Sequence, residues 1–146
     1  MAKKISRNTF LTDNSPSIKA FASIAGSKES EGPIGTCFDK IETDSYFGQD
    51  TWEKAESELQ KQTVGLAISK AGLKDADIDY ILSGDLINQC IGTTYGLRSL
   101  NIPFLGIYGA CSTMAEGLLL GSLLTDSGIG GNIAAATSSH FSTAER

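Results

Sequence analysis

Phe104-Leu105-Gly106-Ile107-Tyr108, then Gly109-Ala110, then Cys111-Ser112-Thr113-Met114-Ala115, is the stretch that decides the fold. Its first five residues read as a buried strand. Gly109-Ala110 is a short turn, and Ser112 to Thr125 forms a helix with an almost continuous apolar face. A strand that turns within two residues into a helix is a signature of α/β architecture.

The alternation continues on both sides. Upstream, Ser17 to Ala25 mixes apolar and small residues as a first strand, ended by Gly26. Thr51 to Ala71 is the clearest helix. Thr51 is placed to N-cap it, Trp52, Ala55, Leu59, Leu66 and Ala67 fall near one face, and Gly72 stops it. Asp77 to Ser83 reads as a second strand, buried on both faces. Asn88 to Leu100 is a weaker helix, interrupted by Gly92 and Gly96. Downstream, the turn Gly128-Ile129-Gly130-Gly131 leads into a fourth strand, Asn132 to Thr137. Strand, helix, strand, helix, strand, helix, strand argues for parallel pairing with right-handed crossovers. The fold expected is α/β, a mostly parallel sheet covered by helices, whose strand order the pattern leaves open. Residues 1–16 read as a flexible leader ending in Thr12-Asp13-Asn14-Ser15-Pro16, and residues 17–146 as one domain. Residues 27–50 form a long, acidic connection.

The chain has 146 residues, 40% hydrophobic and 20% charged, enough for one folded core. Its net charge of -5 repels a phosphate backbone, and no basic patch appears beyond the first few residues, which argues against nucleic acid as a partner. Cys37, Cys90 and Cys111 are widely spaced, and His140 is the one histidine, so no familiar zinc spacing exists. Three unmatched cysteines fit a reducing compartment. Met1 to Ser17 is basic and polar, unlike a secretory signal. The uncharged stretch Ser99 to Ala115 is broken by Asn101, Pro103 and glycines and falls short of the roughly 20 apolar residues that span a bilayer. The expectation is a soluble, cytoplasmic-type protein, or one peripheral to a membrane.

Cys111 is the most informative position for chemistry. A thiol at a strand-turn-helix junction sits near unpaired N–H groups and the positive end of the helix dipole, both of which favour thiolate. Such a junction exposes a nucleophile at the carboxyl edge of the sheet, where α/β ligand sites lie. The alternative is a buried, inert cysteine that packs as a small hydrophobe.

Gly109-Ala110-Cys111-Ser112 resembles the active-site cysteine segment of the thiolase and β-ketoacyl synthase superfamily. Longer segments resemble the stage V sporulation protein AD family. They are Tyr46-Phe47-Gly48 followed by Thr51-Trp52-Glu53-Lys54-Ala55-Glu56, then Ser83-Gly84-Asp85-Leu86-Ile87-Asn88-Gln89, Ile102 to Thr113, and Ala136-Thr137-Ser138-Ser139-His140. Thr143-Ala144-Glu145-Arg146 also fits, and the likeness runs from about residue 15 to the end. The resemblance implies a thiolase-like fold with two similar halves, of which this chain matches the N-terminal one. It further implies action in spore formation beside other spoVA proteins at the spore inner membrane, a homodimer at full length, and binding of dipicolinic acid or its calcium chelate for uptake into the developing spore.

Cys111 matches the family's cysteine, and His140 lies in its Ser-Ser-His segment. The partners that activate the cysteine in thiolase-type enzymes come from the second half, which argues against acyl transfer by this chain alone. An acyltransferase using Cys111 on a coenzyme A thioester is the rival reading. No cofactor is implied. For dipicolinate, a planar dianion, the helix N-terminus at Ser112 would offer N–H donors. His140 would stack on the ring or donate a hydrogen bond, and Asn88 and Gln89 would supply neutral donors. The alternatives are a strand-end His140 satisfied by local backbone, and an Asn88 and Gln89 that serve as helix-start residues. Arg98 is a candidate charge partner, with the solvent face of its helix as the expected place. Asp39, Glu42 and Asp44 carry oxygen ligands, but their spacing is not that of an EF-hand, and a solvated acidic loop without a metal site is expected.

Overall fold

The computed structural model describes residues 2–87 and 90–140. In chain order its strands and helices are β1 (Lys3–Ser6), β2 (Thr9–Leu11), β3 (Ile24–Gly26), the one-turn α1 (Ser27–Ser30), β4 (Lys40–Glu42), α2 (Trp52–Lys70), β5 (Tyr80–Gly84), α3 (Ile91–Leu97), β6 (Phe104–Gly106), α4 (Thr113–Asp126) and β7 (Ile133–Thr137).

The main sheet has the order β6-β5-β7, all parallel. Its centre is β5, whose Ile81 and Leu82 are fully buried because helices cover both faces. Ile81 faces one layer, where Val64 and Ile68 of α2 and Leu97 of α3 join Ile78 and Ile102 in the core. Each such aliphatic side chain contributes about 1.5–3 kcal/mol through burial. Leu82 faces the other layer, formed by α4, where Gly117 lets the helix press onto β7. A methyl group at Gly117 would stand 3.1 Å from Ala135 Cβ.

The helices keep close to their expected spans. Thr51 caps α2, its Oγ1 accepting from the Lys54 N–H at 3.3 Å. The second strand starts later than its reading from Asp77, at Tyr80, and β6, read as buried, leaves Leu105 exposed. Three further regions also differ from the sequence reading. Residues expected as a flexible leader form the antiparallel hairpin β1-β2 around the two-residue turn Arg7-Asn8. Asn14 then ties the chain to the far end of α4 by donating its N–H to Asp126 Oδ1 and its Nδ2 to the Asp126 carbonyl. The first strand shrinks to β3, which pairs in parallel with β4, an element inside the acidic connection. Backbone pairing there overrides a composition that reads as loop. Finally, the buried stripe of α2 is Ala55, Glu56, Gln60, Val64 and Ile68. Leu59, Leu66 and Ala67, expected on that face, are only half-buried.

Candidate functional site

The carboxyl ends of the three parallel strands gather the sequence-predicted residues. Cys111 follows β6 and His140 follows β7, one on each side of β5, so they leave strands roughly 10 Å apart. They come from opposite layers. Cys111 leads into α4 on one face of the sheet, while His140 lies against the start of α2 on the other.

Cys111 is exposed, within a 3₁₀ turn (Ala110–Ser112) that precedes α4. Ala110, the residue before it, has φ +47°, a conformation that costs a non-glycine residue free energy and often marks a functional turn. Just before this turn, the Ile107 carbonyl packs against Gly84 of β5, where any side chain would collide with it. The turn also alters one expectation. The Ser112 N–H donates to the Gly109 carbonyl at 2.9 Å and the Thr113 N–H to the Ala110 carbonyl, so these donors are already spent. A 3₁₀ turn supplies internal acceptors that an open helix N-terminus would lack. The Ser112 hydroxyl, with one hydrogen, has two acceptors in reach, Gly109 O at 2.8 Å and Glu116 Oε1 at 2.7 Å. Glu116 thus places a carboxylate in the first turn of α4, against the hydroxyl of the residue that follows the cysteine.

His140 is buried. Its Nε2 lies 2.7 Å from the Ser45 carbonyl, which only accepts, so Nε2 carries a hydrogen. Its ring tilts against Trp52 at a centroid distance of 5.2 Å, and Trp52 stacks on Tyr46 at 3.8 Å. The Tyr46 end of this stack is exposed. Asp44 shapes the loop that carries it, accepting from the Gly48 and Tyr46 N–H groups at 2.7 and 3.0 Å, and those bonds, with Gly48 foremost, hold its carboxyl below the usual range.

Asn88 and Gln89 lie outside the described residues. Arg98 is exposed, its guanidinium 5.0 Å from the centre of the Tyr95 ring. In the acidic connection, Asp39 Oδ1 pairs with Lys70 at 2.6 Å and Glu42 with Lys40 at 3.1 Å. Among the described residues no cluster of three His, Cys, Asp or Glu side chains could hold a metal ion.

Sequence reasoning missed a set of buried polar groups beneath this edge. Ser138 Oγ donates to Glu56 Oε1 at 2.8 Å, and Gln60 Nε2 reaches the Gly84 carbonyl and Ser138 Oγ at 3.2 and 3.3 Å. Asp85 accepts from the Thr93 N–H and hydroxyl, both at 2.6 Å, and from the Ile87 N–H at 2.8 Å, fixing the start of α3. Cys90 is enclosed nearby, and burial together with Asp85 pushes its thiol pKa up, opposite to what a reactive thiol needs. The signal available in sequence was the four-residue spacing of Trp52, Glu56 and Gln60 with Val64 and Ile68.

Two comparisons bear on this arrangement. The family model described as Stage V sporulation protein AD matches residues 6–146. Stage V sporulation protein AD of Bacillus subtilis (strain 168) is 40% identical over 144 residues, covering 99% of this chain and 43% of the relative. The chain therefore spans less than half the length of that relative, and the parallel α/β architecture is compatible with one half of a thiolase-like fold. Matched along nearly all its residues, including both strand ends that carry Cys111 and His140, this chain belongs to the stage V sporulation protein AD family.

Proposed function

We propose that this chain binds dipicolinic acid as its calcium chelate and supports its uptake into the developing spore, acting with other spoVA proteins at the spore inner membrane. The observation that carries the reading is the shared carboxyl edge. Exposed Cys111 approaches it from one layer, and the Tyr46-Trp52-His140 stack approaches from the other. A planar pyridine ring finds aromatic faces to stack on. The chelate is favoured over the free dianion because Glu116 reaches the hydroxyl of Ser112, the residue after Cys111. A bare dicarboxylate is repelled there, whereas a neutral calcium complex is not, and Glu116 oxygens suit calcium as a ligand.

Calorimetric titration of calcium dipicolinate and of free dipicolinate tests this. Saturable binding is expected for the chelate, weaker binding for the dianion, and a loss of affinity in Cys111→Ala. Glu116→Gln is expected to narrow the difference between the two ligands. No saturable heat from the folded chain would overturn the reading. The strained Ala110 before an exposed thiol favours a second reading, acyl transfer from a coenzyme A thioester to Cys111. A stable acyl adduct on Cys111, seen by mass spectrometry after incubation with acyl-coenzyme A, would support it.

A further inference from the structure

Helix α2 carries Trp52, Glu56, Gln60, Val64 and Ile68 at four-residue intervals, which sets them along one ridge. Val64 and Ile68 belong to the apolar core, yet Glu56 and Gln60 above them are as inaccessible, at 0% and 2% exposure. Burying a carboxylate is costly unless hydrogen bonds compensate it. The bonds here run in one direction. The Gln60 amide must present Nε2 to the Gly84 carbonyl, because two oxygens would repel, and the same Nε2 also faces Ser138 Oγ. Ser138 Oγ accepts there, which leaves its hydrogen for Glu56 Oε1 at 2.8 Å. The Ser138 N–H donates to the Gly84 carbonyl as well, so this residue is held by backbone and side chain together. Two residues further on, His140 meets Ser45 and Trp52, and Trp52 lies one turn before Glu56 on the same ridge.

We propose that Glu56 is a positioning residue for the carboxyl-edge site. It fixes Ser138, and Ser138 fixes the imidazole of His140 against Trp52 and the loop of residues 43–50. What the site then binds rests on the calcium dipicolinate reading, but the positioning itself does not. An acceptor at residue 56 is required and its charge is not, since the carbonyl oxygen of a glutamine serves the Ser138 hydroxyl equally well.

The chain contains one histidine and one tryptophan. Imidazole ¹⁵N resonances and indole emission therefore report on this site without assignment. Three variants of the full chain, Ser138→Ala, Glu56→Leu and Glu56→Gln, are compared with the parent, with far-ultraviolet circular dichroism to confirm the fold. Ser138→Ala removes one oxygen and is the variant that decides if Glu56→Leu fails to fold. Expected are a shifted Trp52 emission, an altered His140 Nε2 signal and an affinity for calcium dipicolinate about tenfold lower in Ser138→Ala and Glu56→Leu. Glu56→Gln is expected to resemble the parent. A folded Ser138→Ala with parental His140 and Trp52 signals would overturn the proposal. So would a Glu56→Gln variant as disturbed as Glu56→Leu, because charge would then be what matters. If the parent binds no chelate but Ser138→Ala still displaces His140, the ligand reading fails and the positioning role stands.

Discussion

Asp79 accepts hydrogen bonds from the Gly131 and Asn132 N–H groups at 2.7 and 3.1 Å, joining the residue before β5 to the turn that enters β7. Those bonds, with Asn132 foremost, hold its carboxyl below the ordinary value of 3.8. A carboxyl depressed on folding stabilises the protein above its unfolded pKa, and that stability is lost as pH falls through the folded value. Asp79→Asn should accordingly be less stable than the parent at pH 7, by a small margin because Asp79 is exposed and screened. The gap should close as pH drops below the normal carboxylate range. Denaturant midpoints measured from pH 7 down to pH 3 check this, and a gap that stays constant would remove the charge from the explanation. Single residues differed in how far they could be read. Cys111 was legible because its neighbours specify a strand, a turn and a helix in succession. Glu56 and Gln60 were not, because a polar side chain on a helix is expected in water until the hydroxyl and carbonyl that satisfy it, 82 and 24 residues away, are known.

Helix glycines show why local propensity alone does not decide stability. Gly65 lies inside α2, and a methyl group there would meet nothing within 4 Å. Gly65→Ala should stabilise the chain by about 0.5–1 kcal/mol by removing backbone freedom from the unfolded state. Gly96 lies inside α3 with its open side against the Ser57 carbonyl of α2, so a methyl group would collide with backbone. Gly96→Ala should destabilise by about 1–3 kcal/mol or more despite the same gain in propensity. Equilibrium unfolding of the two variants checks the opposite signs. From sequence both glycines only weaken a helix; the close crossing of α2 and α3 gives one of them a role. Gly117, odd as a helix residue, is explained in the same way by its contact with β7. The hairpin β1-β2 and the pairing of β3 with β4 went unread because short strands in polar, charged segments are fixed by their partners and not by an apolar pattern.

Across the whole molecule, α4 covers one face of the sheet but keeps Met114, Leu118, Leu119 and Leu120 exposed, with Leu105 and Tyr108 of the adjoining segment exposed too. The helix was expected to turn an almost continuous apolar face inward, and it buries mainly Thr113, Gly117 and Asp126 instead. Exposed apolar surface of this kind drives association in water. The chain should self-associate, and Leu119→Lys should reduce that association; sedimentation velocity would show both, and a monodisperse parent monomer would refute the expectation. The sequence by itself determined the α/β class, the parallel alternation, the capped helix α2 and the family, because each depends on neighbours within a few residues or on segments read in order. Only the tertiary structure decided the strand order β6-β5-β7, the arrival of Cys111 and His140 at one edge from opposite layers, and the burial of Glu56 beneath them. Those depend on contacts between residues far apart in the chain, where packing and hydrogen-bond satisfaction outweigh local preference.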